Sequence, residues 1–122
     1  MKKDNIILTK SFDFALKIIE LYKSLISNHK EYELSKQILR SGTSIGANSE
    51  EAVGAQSTKD FISKFSIAYK EARETNYWLR LLKESGYINK SKAEALIQDC
   101  KEIEKIISAI LLSAKKSLND KK

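Results

Sequence analysis

The chain contains no proline and only four glycines in 122 residues. Proline breaks helices, and glycine serves the tight turns that sheets need, so their scarcity favours long uninterrupted helices. A single cysteine, Cys100, excludes an internal disulfide. One histidine, His29, is too few for a di-iron bundle built on paired Glu-x-x-His motifs or for the usual multi-ligand zinc site. A helical ribonuclease that uses an arginine followed closely by histidine is excluded too, because every arginine comes after His29. The densest apolar run, IISAILLSA, is about half the ~20 residues of a membrane span. The opening MKKDNIILTKSFDF has charges where a signal peptide needs an apolar core, so the expectation is a cytoplasmic protein with no membrane partner.

What is present is helical periodicity, and it predicts an all-α, antiparallel up-and-down four-helix bundle in one domain spanning residues 1–122. The predicted helices run over about 11–27, 32–53, 58–84 and 90–118. The first begins at Ser11 as N-cap, with Asp13 in its first turn. Its apolar residues, from Phe12 and Phe14 to Leu25 and Ile26, cover well over half the circumference, more than one core requires. The excess predicts a second subunit, with Phe14, Ile18 and Leu21 as interface residues. Helix two carries Leu34, Ile38, Ile45 and Ala52 through SGTSIGAN, whose small residues let a neighbouring helix approach closely. Ser57 or Thr58 caps helix three, whose core stripe is Phe61, Phe65, Ala68, Ala72, Leu79 and Leu82. Ile67, Trp78 and Leu81 leave that stripe and are assigned to an oligomer contact. Gly86 supplies a left-handed turn before helix four, where Cys100 lies on the apolar stripe and reads as a small buried residue rather than a nucleophile. The terminal MKKDN and NDKK are expected to fray.

SGTSIGAN lacks the Gly-Lys-Ser/Thr and the preceding strand of a phosphate-binding loop. Arg40, Ser44, Asn48 and Glu51 align as a polar seam on helix two. Its expected role is structural, with Glu71 and Glu74 as partners for Arg40. The net charge of +6 favours polyanions. On helix three, Lys59, Lys70, Arg73 and Arg80 share an arc with Tyr69 and Tyr77. Cations for phosphates beside rings for bases are the combination of a single-strand or structured-RNA surface; the alternative is a solvated or oligomer-packed face. Lys115, Lys116, Lys121 and Lys122 could add sequence-independent attraction.

Two segments, SFDFALKIIELYKSL and QILRSGTSIGANSEEAVGAQSTKDFISKFSIAYKEARETNYWLRLLKESGYI, resemble the family of four-helix-bundle proteins of 23S rRNA intervening sequences, over about Ser11 to Leu112. The resemblance implies a cytoplasmic bacterial homopentamer of unknown function. It also implies kinship with the accessory variability proteins of diversity-generating retroelements, basic pentameric barrels that bind nucleic acid and a reverse transcriptase. It carries over no catalytic residue. The expectation is therefore a non-enzymatic homo-oligomeric scaffold without cofactor or metal, binding RNA or single-stranded nucleic acid through the basic face. The competing reading is a protein-interaction module of a mobile element or rRNA insert.

Overall fold

The computed structural model describes residues 3–120, with side chains from residue 6 onward. Four helices follow one another: α1 (Lys3–His29), α2 (Leu34–Val53), α3 (Thr58–Glu84) and α4 (Lys90–Asp120). Each packs on its chain neighbours, and α4 returns against α1 to close the ring. No strand occurs among the described residues.

The bundle follows from spacings of three and four. Ile7, Ser11, Phe14, Ile18, Leu21 and Leu25 form the inner stripe of α1, and Phe65, Ala68, Ala72, Thr75, Leu79 and Leu82 that of α3, all buried. On α4 the stripe is Ala93, Leu96, Cys100, Ile103, Ile107 and Leu111, again buried. Alternating steps of three and four average 3.5 residues, which keeps one stripe of each helix facing its neighbours along the bundle.

α2 differs in using small residues on its inner face: Ser35, Ser41, Gly42 and Ser49 are buried beside Ile38 and Ile45. A Cβ added at Gly42 would lie 2.8 Å from Ile18 Cγ2, so this glycine sets the close approach of α1 to α2. Across the other seam, Thr75 Oγ1 lies 2.9 Å from Ser41 Oγ and donates to the Glu71 carbonyl at 2.7 Å, which satisfies a buried hydroxyl pair.

The helix ends correct several expectations. α1 begins at Lys3 rather than Ser11, and Ser11 is a buried mid-helix residue whose hydroxyl donates to the Leu8 carbonyl at 3.3 Å. Asp13 is accordingly not in a first turn. His29, expected in a loop, is the last residue of α1 and meets the Tyr87 ring edge-on at 5.4 Å. The helix stops because Lys30 turns to φ +50, with Lys30 N–H donating to the Ile26 carbonyl and Glu31 N–H to that of Leu25. The Glu31 carboxylate then accepts from the backbone N–H groups of Glu33 (3.2 Å) and Ser35 (2.7 Å), placing negative charge at the N-terminus of α2 and starting that helix at Leu34 rather than Tyr32. Ser57 accepts from Asp60 N–H at the start of α3, and Gly86 (φ +81) turns the chain toward α4. Of the ends expected to fray, Lys3 to Asn5 and Asn119 to Asp120 belong to α1 and α4; Met1, Lys2, Lys121 and Lys122 lie outside the described residues.

Candidate nucleic-acid interface

The two flanks of α3 are built from different chemistry. On the side facing α2, Arg40 donates to Glu71 at 3.2 Å and to Glu74, and the Trp78 indole N–H donates to Glu74 at 2.9 Å. Glu51 pairs with Lys64 at 3.0 Å. Ser44 donates to the Arg40 carbonyl and Asn48 to the Ser44 carbonyl, so the polar seam of α2 is occupied by bonds to α3 and to its own helix. The seam between α1 and α4 is paired as well, by Lys10 with Glu102 at 2.7 Å and Lys17 with Asp99 at 2.8 Å. These contacts act on titration: the hydrogen bond to Asp99 raises the Lys17 pKa, and the one from Lys10 lowers that of Glu102.

The α3–α4 seam carries cations without such partners. Three adjoining depressions run along it. Arg73, Asn76 and Arg80 face Lys101 and Glu104 at one end. Tyr69 faces Lys101, Lys105 and Leu112 in the middle, in a hollow of about 510 Å³. Ser66 and Lys70 face Ser108, Leu111 and Lys115 at the other end. They share Tyr69, Leu112, Lys101 and Glu104, and so form one open groove. Among the described residues no salt bridge involves Lys70, Arg73, Arg80, Lys101, Lys105 or Lys115. Glu104 is the one acid lining the groove, leaving a local excess of positive charge. Beneath it, Cys100 donates its thiol to the Ala72 carbonyl at 3.1 Å, and burial pushes its pKa up to about 12. A protonated, buried thiol is a packing residue, not a nucleophile.

Lys70, Arg73, Arg80 and Tyr69, which share one arc of α3 in the sequence, all line this groove, whereas its α4 side is not among the expected residues. Lys101, Lys105, Ser108, Leu112 and Lys115 repeat at steps of four and three, one residue out of phase with the buried stripe, and that offset was the available signal. Two residues assigned to the same face lie elsewhere. Lys59 is exposed about 16 Å along the helix axis from Lys70, at 1.5 Å per residue, and lines none of the three depressions. Tyr77 is exposed outside the groove, edge-on to Trp78 at 5.2 Å, with the Arg80 guanidinium 5.9 Å from its ring centre.

The proposed oligomer contacts divide in the same way. Phe14, Ile18 and Leu21 are not available to a second subunit, because they form the bundle's own core. The spare apolar surface of α1 is instead Phe12 and Leu16, 61 % and 50 % exposed. Ile67 is exposed and Leu81 half-buried, while Trp78 packs against the core with its N–H satisfied by Glu74. A further hollow at the α2–α3 turn, lined by Ala52, Phe61, Ala114 and uncharged turn residues, offers no titratable group. Among the described residues, no cluster of three or more His, Cys, Asp or Glu could hold a metal ion, and no helix is long and apolar enough to cross a membrane.

Fold and surface together define a four-helix-bundle protein with a groove lined by six cations and, among the described residues, one carboxylate. The chain belongs to the family of 23S rRNA-intervening sequence proteins, which it matches over residues 3–109. It is similar to a crystal structure from Bacteroides thetaiotaomicron, described as a protein of unknown function from the S23 ribosomal protein family. The two share 52 % identity over 90 % of this chain and 98 % of that one, with a TM-score of 0.89. No curated protein matches.

Proposed function

We propose that the protein is a non-enzymatic, self-associating cytoplasmic scaffold that binds RNA or single-stranded nucleic acid through the basic edge of α3. The observation that carries this reading is a clustering of unpaired cations. Lys70, Arg73, Arg80, Lys101, Lys105 and Lys115 line one groove beside a single lining carboxylate, Glu104, and none of the six forms an ion pair among the described residues. Unpaired cations along a concave edge attract a phosphate backbone by releasing its counterions, whatever its sequence. Self-association is supported by Phe12 and Leu16, two large exposed apolar side chains one helical turn apart on α1. The same pair supports the alternative of a protein-interaction module, in which the basic edge serves only solubility.

Mobility shifts with structured RNA, single-stranded DNA and duplex DNA across a salt series, run beside light scattering, test this reading. An oligomer whose binding weakens steeply with salt is expected. Arg73→Glu with Arg80→Glu should cost about a hundredfold or more in affinity, with the oligomer mass unchanged. An oligomer that shifts no nucleic acid at low salt would transfer the assignment to a protein partner. A monomer at micromolar concentration would remove the scaffold.

A further inference from the structure

We infer that the α3–α4 groove is a channel for one unpaired strand, with α4 supplying half of it. The inference rests on the nucleic-acid reading above and adds the strandedness, the path and the α4 residues. In this arrangement the phosphates follow Lys70, Arg73 and Arg80 on one wall and Lys101, Lys105 and Lys115 on the other, and bases turn down onto Tyr69 and Leu112.

The groove's composition discriminates between strand types. A duplex offers outward phosphates, while its base faces are stacked and hidden; a surface built for it needs cations and no rings. Here the cations flank an apolar floor. Tyr69 packs against the core, so its ring is held in place at the seam, and Leu112 beside it is 73 % exposed. Together with the Tyr69 ring, Leu112 makes an apolar strip between the two rows of cations, the surface an unstacked base would cover. Only a single strand, or a splayed loop, can bring both a base face and a phosphate into the same cleft.

Length and spacing agree. From Lys101 to Lys115 the α4 wall rises about 21 Å at 1.5 Å per residue, enough for about six nucleotides at a stacked spacing of about 3.4 Å and fewer when bases are unstacked. Lys101 and Lys105 lie on successive turns, about 6 Å apart along the axis. Glu104 interrupts the cations between them and Arg73 and limits how tightly any polyanion is held there.

The test is fluorescence anisotropy of the full chain with labelled oligouridine, oligothymidine and a duplex of equal length, each across a salt series. Both single strands should bind about tenfold or more tighter than duplex. Lys101→Glu with Lys105→Glu should weaken strand binding about tenfold and reduce the logarithmic salt slope by about 1.4, about 0.7 for each cation lost. Leu112→Glu should weaken it several-fold while Leu112→Phe preserves it, and since Leu112 is exposed neither change threatens the fold. A charge-matched control, Lys23→Glu with Lys36→Glu on α1 and α2, should leave binding within about twofold once net charge is allowed for.

Duplex binding equal to that of single strands overturns the inference, as does an α4 reversal no worse than the α1–α2 control. If strands bind and respond to Arg73 and Arg80 but not to Lys101, Lys105 or Leu112, this inference fails while the nucleic-acid function stands. If no strand binds at all, both fail. Comparable affinity for oligouridine and oligothymidine assigns the groove to either sugar; a strong preference for one identifies the natural strand.

Discussion

The α2-facing flank of α3 is chemically finished, and the α4-facing flank is not. On the first, one arginine meets two carboxylates, one of which also accepts the indole N–H of Trp78, and a buried Thr75–Ser41 pair lies beneath. On the second, lysines and arginines from two helices line a groove with a single carboxylate among them. Both flanks cover the same dry core. No salt bridge among the described residues ties the α4-side cations to the bundle, so their charge faces outward, whereas the Arg40 cation is paired between two helices.

The comparison is sharpest in the core beneath the groove, where the largest stability effect is expected. Cys100 is sealed beneath the cations, chiefly by burial, and its thiol pKa rises from about 9 to about 12. The folded pKa is above the unfolded one, so the thiol leaves stability unaffected below the unfolded pKa, and stability is lost as pH climbs from there toward about 12, where the unfolded chain ionises and the fold does not. Denaturant unfolding of the protein and of Cys100→Ala at stepped alkaline pH isolates the contribution of this one thiol. The stability difference between them should shift against the wild type above about pH 9. A difference independent of pH would mean that water reaches Cys100 in the folded protein.

A middle-sized effect belongs to the finished flank. Thr75→Val keeps the shape but removes the hydroxyl that meets Ser41, and should cost about 1–2 kcal/mol by denaturant midpoint. Asn76→Ala, one residue on and facing the groove, should stay within about 0.5 kcal/mol. Equal costs at the two positions would erase the distinction between a flank that stabilises and a flank that is free to bind.

How far the sequence reveals this depends on whether one helix suffices to read it. α3 is legible to its ends, Thr58–Glu84, because Ser57 and the Ser85–Gly86 pair are local signals. The start of α1 is not, because Ser11 has the chemistry of a cap but occupies a core position, and only Ile7 four residues earlier shows that the stripe continues. The Arg40 partnership with Glu71 and Glu74 can be read from two helical wheels and is present. The broad apolar arc of α1 announces spare surface but does not say which part turns inward; Phe14, Ile18 and Leu21, read as outward, fill the core, and Phe12 and Leu16 occupy the exposed side. The groove is hardest to read, since its second wall exists only once α4 is known to lie along the Tyr69–Arg73–Arg80 edge.

The smallest effect completes the comparison. Arg40 is half-exposed, so its pairs with Glu71 and Glu74 lie in a screened environment where such contacts are worth about 0–1 kcal/mol. Arg40→Ala should fall in the upper half of that range, because it leaves two carboxylates one turn apart on α3, with Glu71 largely covered. The loss should shrink in high salt, as repulsion between the two acids is screened. Strand affinity should barely change, although Arg40→Ala removes one positive charge just as a single change at Arg73 would. Anisotropy on Arg40→Ala and Arg73→Ala therefore separates location from net charge. Equal losses would mean that the protein attracts polyanions as a uniformly basic body, whereas a loss confined to Arg73→Ala locates the binding on the flank that folding leaves unpaired.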